Sequence, residues 1–333
     1  RFLAHFRPDV GLLMETEVWP NLVAGCAQRG VPLCLVNARM SDKTYQQSRR
    51  LRWLAGPAYR GLHAVWAQSE ADAQRLRALG APVQAVLGNF KFDATPDAAL
   101  LAQGRAWRAG AGRPVLMFAS SREGEEQMLL DVLKQKWPLA PVDTARAAPD
   151  SIANGAQTSA RMPFQLLVVP RHPQRFAEVA QLFADAGYSV SRRSQWGEAP
   201  DTADVWVGDS LGEMALYFGM AHVALLGGSF APLGGQNLIE AAACGVPVFM
   251  GPHLFNFTEA STLAAEAGAA QRCEDIAHAV TEAAETAGDV ARLHGMQDAA
   301  LCLGAAHRGA ALKTATEVAA VVRRSAITAP AGC

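Results

Sequence analysis

The feature that most constrains the fold is an alternation of short apolar runs with longer segments of helical spacing. Residues 10–14 and 31–36 are such runs, and each is followed by a segment whose apolar residues recur at helical spacing. Two further apolar runs occupy residues 64–67 and 83–87. Strands that are apolar throughout are typical of parallel sheets with helices on both faces. The alternation therefore predicts parallel βαβ units and an α/β protein.

The same alternation begins again after residue 113. Helices are predicted after most strands of this second half, which are expected at 114–119, 164–169, 205–207, 223–226 and 246–250. A chain of 333 residues has the length of two domains, at about 100–200 residues each. We therefore expect two Rossmann-like halves with a cleft between them.

Changes in composition set the predicted boundaries. Residues 1–95 are predicted to form an N-terminal Rossmann-like domain, truncated at its start, and residues 113–310 a C-terminal domain. The segment 96–112, rich in Ala and Gly, is predicted as a linker. Residues 138–163 lack periodicity and are predicted as an exposed loop inserted into the second domain. Residues 311–333 are predicted as a helix and tail that could pack back on the N-terminal domain.

The composition excludes several classes of protein. Half of the residues are apolar, 18% are charged and the net charge is −1, so nothing indicates nucleic acid as a partner. The six cysteines are scattered without a CxxC pair, which indicates a reducing compartment. No apolar run reaches the ~18–20 residues that span a bilayer, and no metal-ligand spacing is present. We expect neither a transmembrane segment nor a metal site in this chain.

The glycine-rich segment after the strand predicted at 223–226 is the strongest candidate for a ligand site. It reads GGSFAPLGGQNLIE from Gly227, and ligands of open parallel sheets bind at the carboxyl ends of strands. A helix is expected to begin near Gly235, where free N–H groups would suit a phosphate. Glu240 would then share a helix face with Gln236 and Asn237 and could reach a ribose diol. The alternative is a glycine-rich turn that binds nothing.

Two further strand ends of the second half carry polar residues. Arg171 and His172 follow the strand predicted at 164–169, and an arginine there could bind a phosphate or carboxylate through two hydrogen bonds. Alternatively, His172 caps the next helix and Arg171 pairs with a surface acid. The segments beginning at Ser120 and at Ser210 each contain S-x-x-E, the pattern of a helix capping box. A capped helix start at a strand end can still line a cleft.

Charged residues also follow the strands of the first half. Glu15 and Glu17 follow the first strand, and Arg39 follows the second. A carboxylate there could bind an acceptor hydroxyl or act as a base; the alternative is an acid favoured by a helix dipole. Lys91 follows the fourth strand and could meet an anionic ligand.

Together these segments resemble the 3-deoxy-D-manno-octulosonic acid (Kdo) transferases. The matching motifs occur in order over nearly the whole chain: METEVWPN (14–21), LVNARMSDKTY (35–45), GNFKFD (88–93), VPRHPQRF (169–176), GDSLGEM (208–214) and GGSFAPLGGQNLIEAAACGVPVFMGPHLFNF (227–257). The resemblance implies a GT-B fold, in which two Rossmann-like domains face each other across a cleft. It also implies inverting transfer of Kdo from CMP-Kdo to a lipid A precursor (lipid IVA) in lipopolysaccharide synthesis. The substrates are CMP-Kdo and this lipid, and no cofactor or metal is implied.

The resemblance assigns a role to each candidate residue. Arg171 would neutralise the donor phosphate or the Kdo carboxylate, and Glu17 is the second candidate for catalysis. The acceptor side would be formed by Glu15, Arg39 and Lys91. The implied donor-binding residues are Ser120, His172, Ser210, Gly212, Glu213, Gly228, Ser229, Gly234, Gly235, Gln236, Asn237 and Glu240.

The resemblance also implies features outside this chain. The family begins with a membrane anchor and a Gly-Glu motif whose Glu is expected to be the main general base, and neither occurs here. The full-length protein is expected at the cytoplasmic face of the inner membrane. Two alternatives stay open: a UDP-sugar epimerase or transferase on the same fold, and a non-catalytic protein that binds nucleotide sugars.

Overall fold

The computed structural model describes residues 1–139 and 162–328. The chain divides into two compact units, of which the first combines residues 1–94 with the chain from His307 onward. The second unit comprises Thr95–Ala306. Most of the loop predicted at 138–163 lies outside the described residues.

The first unit is built on a four-stranded parallel sheet. Its strands follow the order β1-β2-β3-β4 and are β1 (Gly11–Met14), β2 (Leu33–Ala38), β3 (Ala64–Ala67) and β4 (Val83–Val86). Its helices are α1 (Phe2–Phe6), α2 (Pro20–Ala27), α3 (Asp42–Arg50), α4 (Arg52–Arg60), α5 (Glu70–Ala78) and α14 (Ala310–Thr328). The parallel βαβ arrangement predicted from the alternation is confirmed here.

Burial in the first unit matches the prediction for the inner strands and differs for the first. β2 and β3 are buried at every position, because helices cover both faces. β1 lies at the edge of the sheet, and its Leu12 and Met14 are 49% and 50% exposed. The expectation that residues 10–14 form a fully buried strand is therefore wrong.

The second unit contains a seven-stranded parallel sheet, in the order β11-β10-β9-β5-β6-β8-β7. The strands are β5 (Val115–Ser121), β6 (Gln165–Pro170), β7 (Val190–Arg192), β8 (Val205–Val207), β9 (Val223–Leu226), β10 (Val248–Met250) and β11 (Ala270–Arg272). The chain starts in the middle at β5, builds one side through β6 and β8, and then returns to β9 on the other side. This reversal is the topological switch point of a Rossmann-type sheet. The sequence missed the two edge strands β7 and β11, each only three residues long.

Helices cover this sheet and enclose its core. They are α6 (Ala98–Ala109), α7 (Glu125–Lys136), α8 (Phe176–Asp185), α9 (Met214–Met220), α10 (Ile239–Ala243), α11 (Thr258–Glu266), α12 (Ile276–Gly288) and α13 (Val290–Ala306). The core packs strand residues such as Leu116 and Phe118 against Leu129 and Leu133 of α7. All four side chains are fully buried.

The prediction of a linker at 96–112 is wrong, because most of that segment forms α6. Asp97 caps this helix by accepting hydrogen bonds from the backbone N–H groups of Ala99 and Leu100. α6 then packs closely on α9, with Gly104 of one helix against Gly219 of the other. The frequent Ala and Gly residues that suggested a flexible connection instead allow two helices to approach closely.

The helical segment 41–61 is interrupted at Leu51, between α3 and α4. Pro57 lies inside α4. No helix within the described ranges is both long and apolar enough to cross a bilayer.

Candidate functional site

The second unit has a cavity of about 420 Å³ at the carboxyl ends of its central strands. β5, β6 and β9 end at this cavity, which therefore lies at the topological switch point where open α/β sheets bind ligands. The residues lining it are Ala119, Ser120, Val169, Pro170, Arg171, Phe176, Ser210, Leu211, Gly212, Met214, Phe218, Leu226, Gln236, Asn237, Glu240 and Phe257.

The cavity brings together seven of the residues predicted from the sequence for the donor side. These are Ser120, Arg171, Ser210, Gly212, Gln236, Asn237 and Glu240. Six other predicted residues do not line it: His172, Glu213, Gly228, Ser229, Gly234 and Gly235. The seven come from four different strand ends, so only the folded sheet makes them neighbours.

Glu240 and Asn237 form the acidic side of the cavity. The Asn237 side-chain amide donates to Glu240 Oε1 at 3.1 Å, and Asn237 Oδ1 accepts from the N–H of Ile239 at 3.1 Å. Asn237 thus bonds to the backbone at the first residue of α10 and orients the carboxylate of Glu240. A carboxylate held in this way can accept hydrogen bonds from two neighbouring hydroxyl groups.

The expected helix start near Gly235 is wrong. α10 begins at Ile239 and has five residues. Gly234 and Gly235 have φ of +89° and +79°, in the left-handed region that a right-handed helix does not use. Both glycines lie in a loop that is closed by a hydrogen bond of 2.7 Å from the N–H of Gly235 to the carbonyl oxygen of Gly228.

The amides of the first glycine turn are occupied by the protein itself. The fully buried carboxylate of Glu125 accepts from Gly228 N–H at 2.7 Å, from Phe230 N–H at 3.0 Å and from Ala231 N–H at 3.2 Å. A fourth bond comes from Arg122 N–H at 2.9 Å. Burial raises the pKa of Glu125, while these four backbone hydrogen bonds act in the opposite direction. These N–H groups are therefore not available to a phosphate.

Ser229 likewise has a structural role. Its fully buried hydroxyl donates to the carbonyl oxygen of Leu226 at 2.5 Å and accepts from the N–H of Gly251 at 2.9 Å. It ties the end of β9 to the end of β10. Ser229 was expected to bind the donor, but its buried hydroxyl is occupied by these two bonds and it does not line the cavity.

Arg171 provides the positive charge of the cavity. Its backbone N–H donates to the carbonyl oxygen of Ser121 at 3.0 Å, which fixes the backbone where β6 ends. Its exposed side chain has no hydrogen bond or ion pair with any of the described residues. A guanidinium held at a cavity rim with its donors free is suited to a phosphate or carboxylate.

His172 is next to Arg171 but does not reach the cavity. It occupies the position before a short 3-10 helix at Pro173–Arg175, and its side chain makes no capping hydrogen bond. Ser120 does not cap α7, which begins at Glu125. The hydroxyl that bonds at the start of this helix is that of Ser121, which donates to the carboxylate of Glu126.

The segment after β8 forms another wall of the cavity. Ser210 bonds through its hydroxyl to the carboxylate of Glu213 and lies 2.5 Å from the hydroxyl of Tyr217. Glu213 also pairs with Arg193 at 2.8 Å. Burial raises the pKa of Tyr217 to about 12, so its hydroxyl stays protonated at neutral pH. Glu213 supports the wall from behind and does not line the cavity itself.

The four remaining candidates belong to the first unit. Glu15 and Arg39 come together at the ends of β1 and β2, where Arg39 N–H donates to the carbonyl oxygen of Glu15 at 3.1 Å. The exposed carboxylate of Glu17 accepts from the indole N–H of Trp19 at 3.0 Å. Lys91 lies in the 3-10 helix Phe90–Asp93, and its N–H donates to Asn89.

Sequence reasoning missed the apolar lining and the two buried acids Glu125 and Glu126. The apolar residues Phe176, Met214, Phe218 and Phe257 line the cavity without any sequence signal that separates them from core residues. The two acids had no such signal either, because consecutive carboxylates at a helix start are usually exposed. Glu125 is fully buried and Glu126 is 1% exposed.

Known proteins that are similar in sequence to this chain are described as 3-deoxy-D-manno-octulosonic acid transferases. The profile of the family described as 3-deoxy-D-manno-octulosonic-acid transferase (kdotransferase) matches residues 1–94. A 3-deoxy-D-manno-octulosonic acid transferase of Bordetella pertussis is 43% identical over 94% of this chain and 69% of that protein. One of Haemophilus influenzae is 29% identical over 86% of this chain and 63% of that protein. The chain therefore spans about two thirds of the length of these relatives.

Solved structures resemble the chain in fold. The crystal structure of a glycosyltransferase from Rickettsia africae matches with a TM-score of 0.52 at 11% identity, covering 98% of this chain and 79% of that one. Together with the two parallel sheets, this likeness confirms the α/β GT-B fold class.

Proposed function

Because this chain belongs to the 3-deoxy-D-manno-octulosonic acid transferase family, we propose that it is the greater part of a glycosyltransferase that moves Kdo from CMP-Kdo to a lipid A precursor. The acceptor would be lipid IVA, at the cytoplasmic face of the inner membrane, in lipopolysaccharide synthesis. The transfer would be a direct displacement with inversion, without a cofactor. The second unit would bind the CMP-sugar, while Glu15, Glu17, Arg39 and Lys91 of the first unit stay candidates for the acceptor side.

The observation that carries the donor assignment is the pairing of Arg171 and Glu240 in one cavity. Arg171 offers unoccupied N–H donors to an anion, and Glu240, oriented by Asn237, offers acceptors to hydroxyl groups. A nucleoside monophosphate ester carries both partners, a phosphate and a ribose diol. The cavity volume of about 420 Å³ lies within the usual range for small-molecule sites.

The same residues support a mechanism for the departure of CMP. As the bond between the anomeric carbon of Kdo and the phosphate oxygen breaks, negative charge grows on that oxygen. Arg171 would stabilise this charge in the transition state more than in the ground state, which is how a fixed cation accelerates a reaction. A carboxylate would take the proton of the acceptor hydroxyl, and Glu17 is the exposed candidate in this chain.

The first prediction separates the two halves of the nucleotide by calorimetry with CMP and with cytidine. Arg171→Ala should weaken CMP binding about tenfold or more, through loss of charged hydrogen bonds, and leave cytidine binding unchanged. Glu240→Ala should weaken both ligands to a similar extent, because ribose is common to both. Glu266→Ala serves as the control, since Glu266 is exposed on α11 and does not line the cavity.

Two results would contradict the proposed donor site. If the variant Glu240→Ala binds CMP as the unchanged chain does, Glu240 is not at the ribose. If UDP raises the melting temperature and CMP does not, the chain is a UDP-sugar enzyme on the same fold.

A further inference from the structure

Two adjacent buried carboxylates, Glu125 and Glu126, stand at the start of α7, directly behind the cavity. Neither lines the cavity, so neither touches a ligand bound there. A carboxylate is costly to bury unless hydrogen bonds or a counter-ion compensate it. The burial of two consecutive carboxylates is therefore explained by the groups to which each of them bonds.

Glu125 holds the wall that carries the acidic side of the cavity. Its Oε2 accepts from Gly228 N–H and its Oε1 from Phe230 and Ala231 N–H. The carbonyl oxygen of Gly228 then accepts from Gly235 N–H at 2.7 Å. The next residues, Gln236 and Asn237, line the cavity beside Glu240. Two hydrogen bonds in series thus connect Glu125 to the ribose side of the proposed site.

Glu126 holds the opposite wall. Both of its oxygens accept from Arg175 Nη1, at 2.9 and 3.0 Å, and Oε1 also accepts from the Ser121 hydroxyl at 2.7 Å. The Ser121 carbonyl oxygen accepts from the backbone N–H of Arg171. Arg175 in turn closes the 171–175 segment by donating its N–H to the carbonyl oxygen of His172 at 3.0 Å.

On the basis of the proposed donor site, we propose that Glu125 and Glu126 are positioning residues that set the distance between its two walls. Glu125 places Gln236, Asn237 and Glu240 for the ribose, and Glu126 places Arg171 for the phosphate. Because the two acids are consecutive residues in the first turn of α7, both walls of the cavity are attached to the same rigid helix. The carboxylate of Glu125 therefore holds the N–H groups of the glycine turn, and Arg171 binds the phosphate of the ligand.

The test uses the isosteric variants Glu125→Gln and Glu126→Gln in the full chain. A glutamine at 125 turns its NH₂ group toward two of the four N–H donors, so two hydrogen bonds are lost while the volume is kept. Asp204→Asn is the matched control. Asp204 is 1% exposed in the same unit and accepts from Ser189 N–H and hydroxyl at 2.9 and 2.6 Å, at the amino end of β8, away from the cavity.

Calorimetry with CMP and cytidine at 20 °C gives the expected split. Glu125→Gln should weaken both ligands about tenfold, Glu126→Gln should weaken CMP and leave cytidine unchanged, and Asp204→Asn should change neither. All three should lower the melting temperature. A purely structural role would give the same loss of melting temperature without the ligand split, and that result would overturn the proposal.

Hydrogen exchange on the ligand-free chain tests the positioning role without relying on the proposed donor site. Glu125→Gln should speed exchange in peptides covering 227–237, and Glu126→Gln in those covering 171–175, relative to Asp204→Asn. Unchanged exchange in both would refute the positioning role. If the unchanged chain binds no CMP while the exchange pattern appears, the proposed function fails and the link to the two walls stands. If Glu125→Gln does not fold, Glu126→Gln decides by the same two measurements.

Discussion

Several residues at strand ends adopt backbone conformations that their side chains disfavour. Glu15, Asn37 and Ser120 have φ of +56°, +49° and +54° at or near the ends of β1, β2 and β5. The left-handed region costs a non-glycine residue about 1–2 kcal/mol, and such residues cluster at functional sites. At Ser120 the backbone is also closely packed, because a Cβ on Gly227 would lie 2.1 Å from the Ser120 carbonyl oxygen. The backbone segments at Ser120 and Gly227 therefore approach as closely as glycine allows, at the edge of the cavity.

The second prediction concerns His222, whose titration couples folding of the second unit to pH. Burial, and then the nearby Arg108, lower the pKa of His222 to about 4 from 6.5. Its Nδ1 accepts from Val115 N–H at 3.0 Å, which requires a neutral ring. The unfolded chain binds the proton below pH 6.5, so stability should be full above that pH and be lost as pH falls toward 4. At about 1.4 kcal/mol for each unit of pKa difference, the loss should be at most about 3.5 kcal/mol.

Urea unfolding between pH 7.5 and 4 measures this loss. His222→Asn is the comparison, because the amide oxygen can accept from Val115 N–H and does not titrate. As the pH falls, the unchanged chain should lose more stability than the variant. Parallel pH profiles would show that His222 does not titrate in this way. Carboxylate titrations are common to both proteins and cancel.

At the scale of elements, the contact between α6 and α9 explains why a segment with a linker-like composition is a fixed helix. A Cβ on Gly104 would lie 2.1 Å from the carbonyl oxygen of Leu216, and one on Gly219 would lie 2.5 Å from that of Leu101. Glycine inside a helix costs about 1 kcal/mol relative to alanine. The close approach of the two backbones is what compensates this cost. α9 directly follows the cavity wall at 210–213, so the contact also supports the site.

The third prediction is that Gly104→Ala destabilises the second unit by about 1–3 kcal/mol through overpacking, despite the better helix propensity of alanine. Gly110→Ala at the end of the same helix is the control. A Cβ there meets only the Trp107 carbonyl oxygen at 3.6 Å, an ordinary contact. Its effect should stay within about 0.5 kcal/mol. Urea midpoints at constant slope compare the two variants, and equal midpoints would contradict the close packing of α6 on α9.

At the scale of the whole molecule, the chain returns to its first unit after completing the second. Asp93 accepts hydrogen bonds from the N–H groups of Gly309 and Ala311 at the start of α14. α14 then places Val318 and Val321 against Val36 and Trp66, so it covers one face of the four-stranded sheet. The motif residue Asp93, which the sequence associated with a ligand-bearing segment, is thereby explained by capping.

The fourth prediction follows from this return. Val321→Asp should lower the stability of the first unit by several kcal/mol, because Val321 is 7% exposed and an unpaired buried charge is costly. Ala319→Asp adds the same charge at an exposed position of the same helix and should be nearly neutral. Hydrogen exchange should increase in β2 and β3 of the first variant only, while CMP binding by the second unit is retained. Protection of β2 and β3 equal to that of the unchanged chain would show that α14 does not stabilise this sheet.

Features that depend on local pattern could be predicted from the amino-acid sequence. Apolar runs alternating with helical segments were sufficient for the α/β class and for every described strand except β7 and β11, because strands of parallel sheets have few other sequence patterns. The rule that ligands bind at strand ends was sufficient to select Ser120, Arg171, Ser210 and Glu240 as candidates, all of which line the cavity. Motif order selected the family.

Which groups of these motifs face the cavity and which face inward depends on contacts that form in the folded protein. The amides of Gly228, Phe230 and Ala231 belong to the glycine-rich segment predicted to bind a ligand, but they bond to Glu125, which lies more than a hundred residues earlier in the chain. Local pattern also could not distinguish a linker from α6, because the glycine that suggests flexibility fits the backbone of α9. In both cases the deciding partner is remote in sequence, and burial of polar groups and close packing are satisfied only by the completed fold.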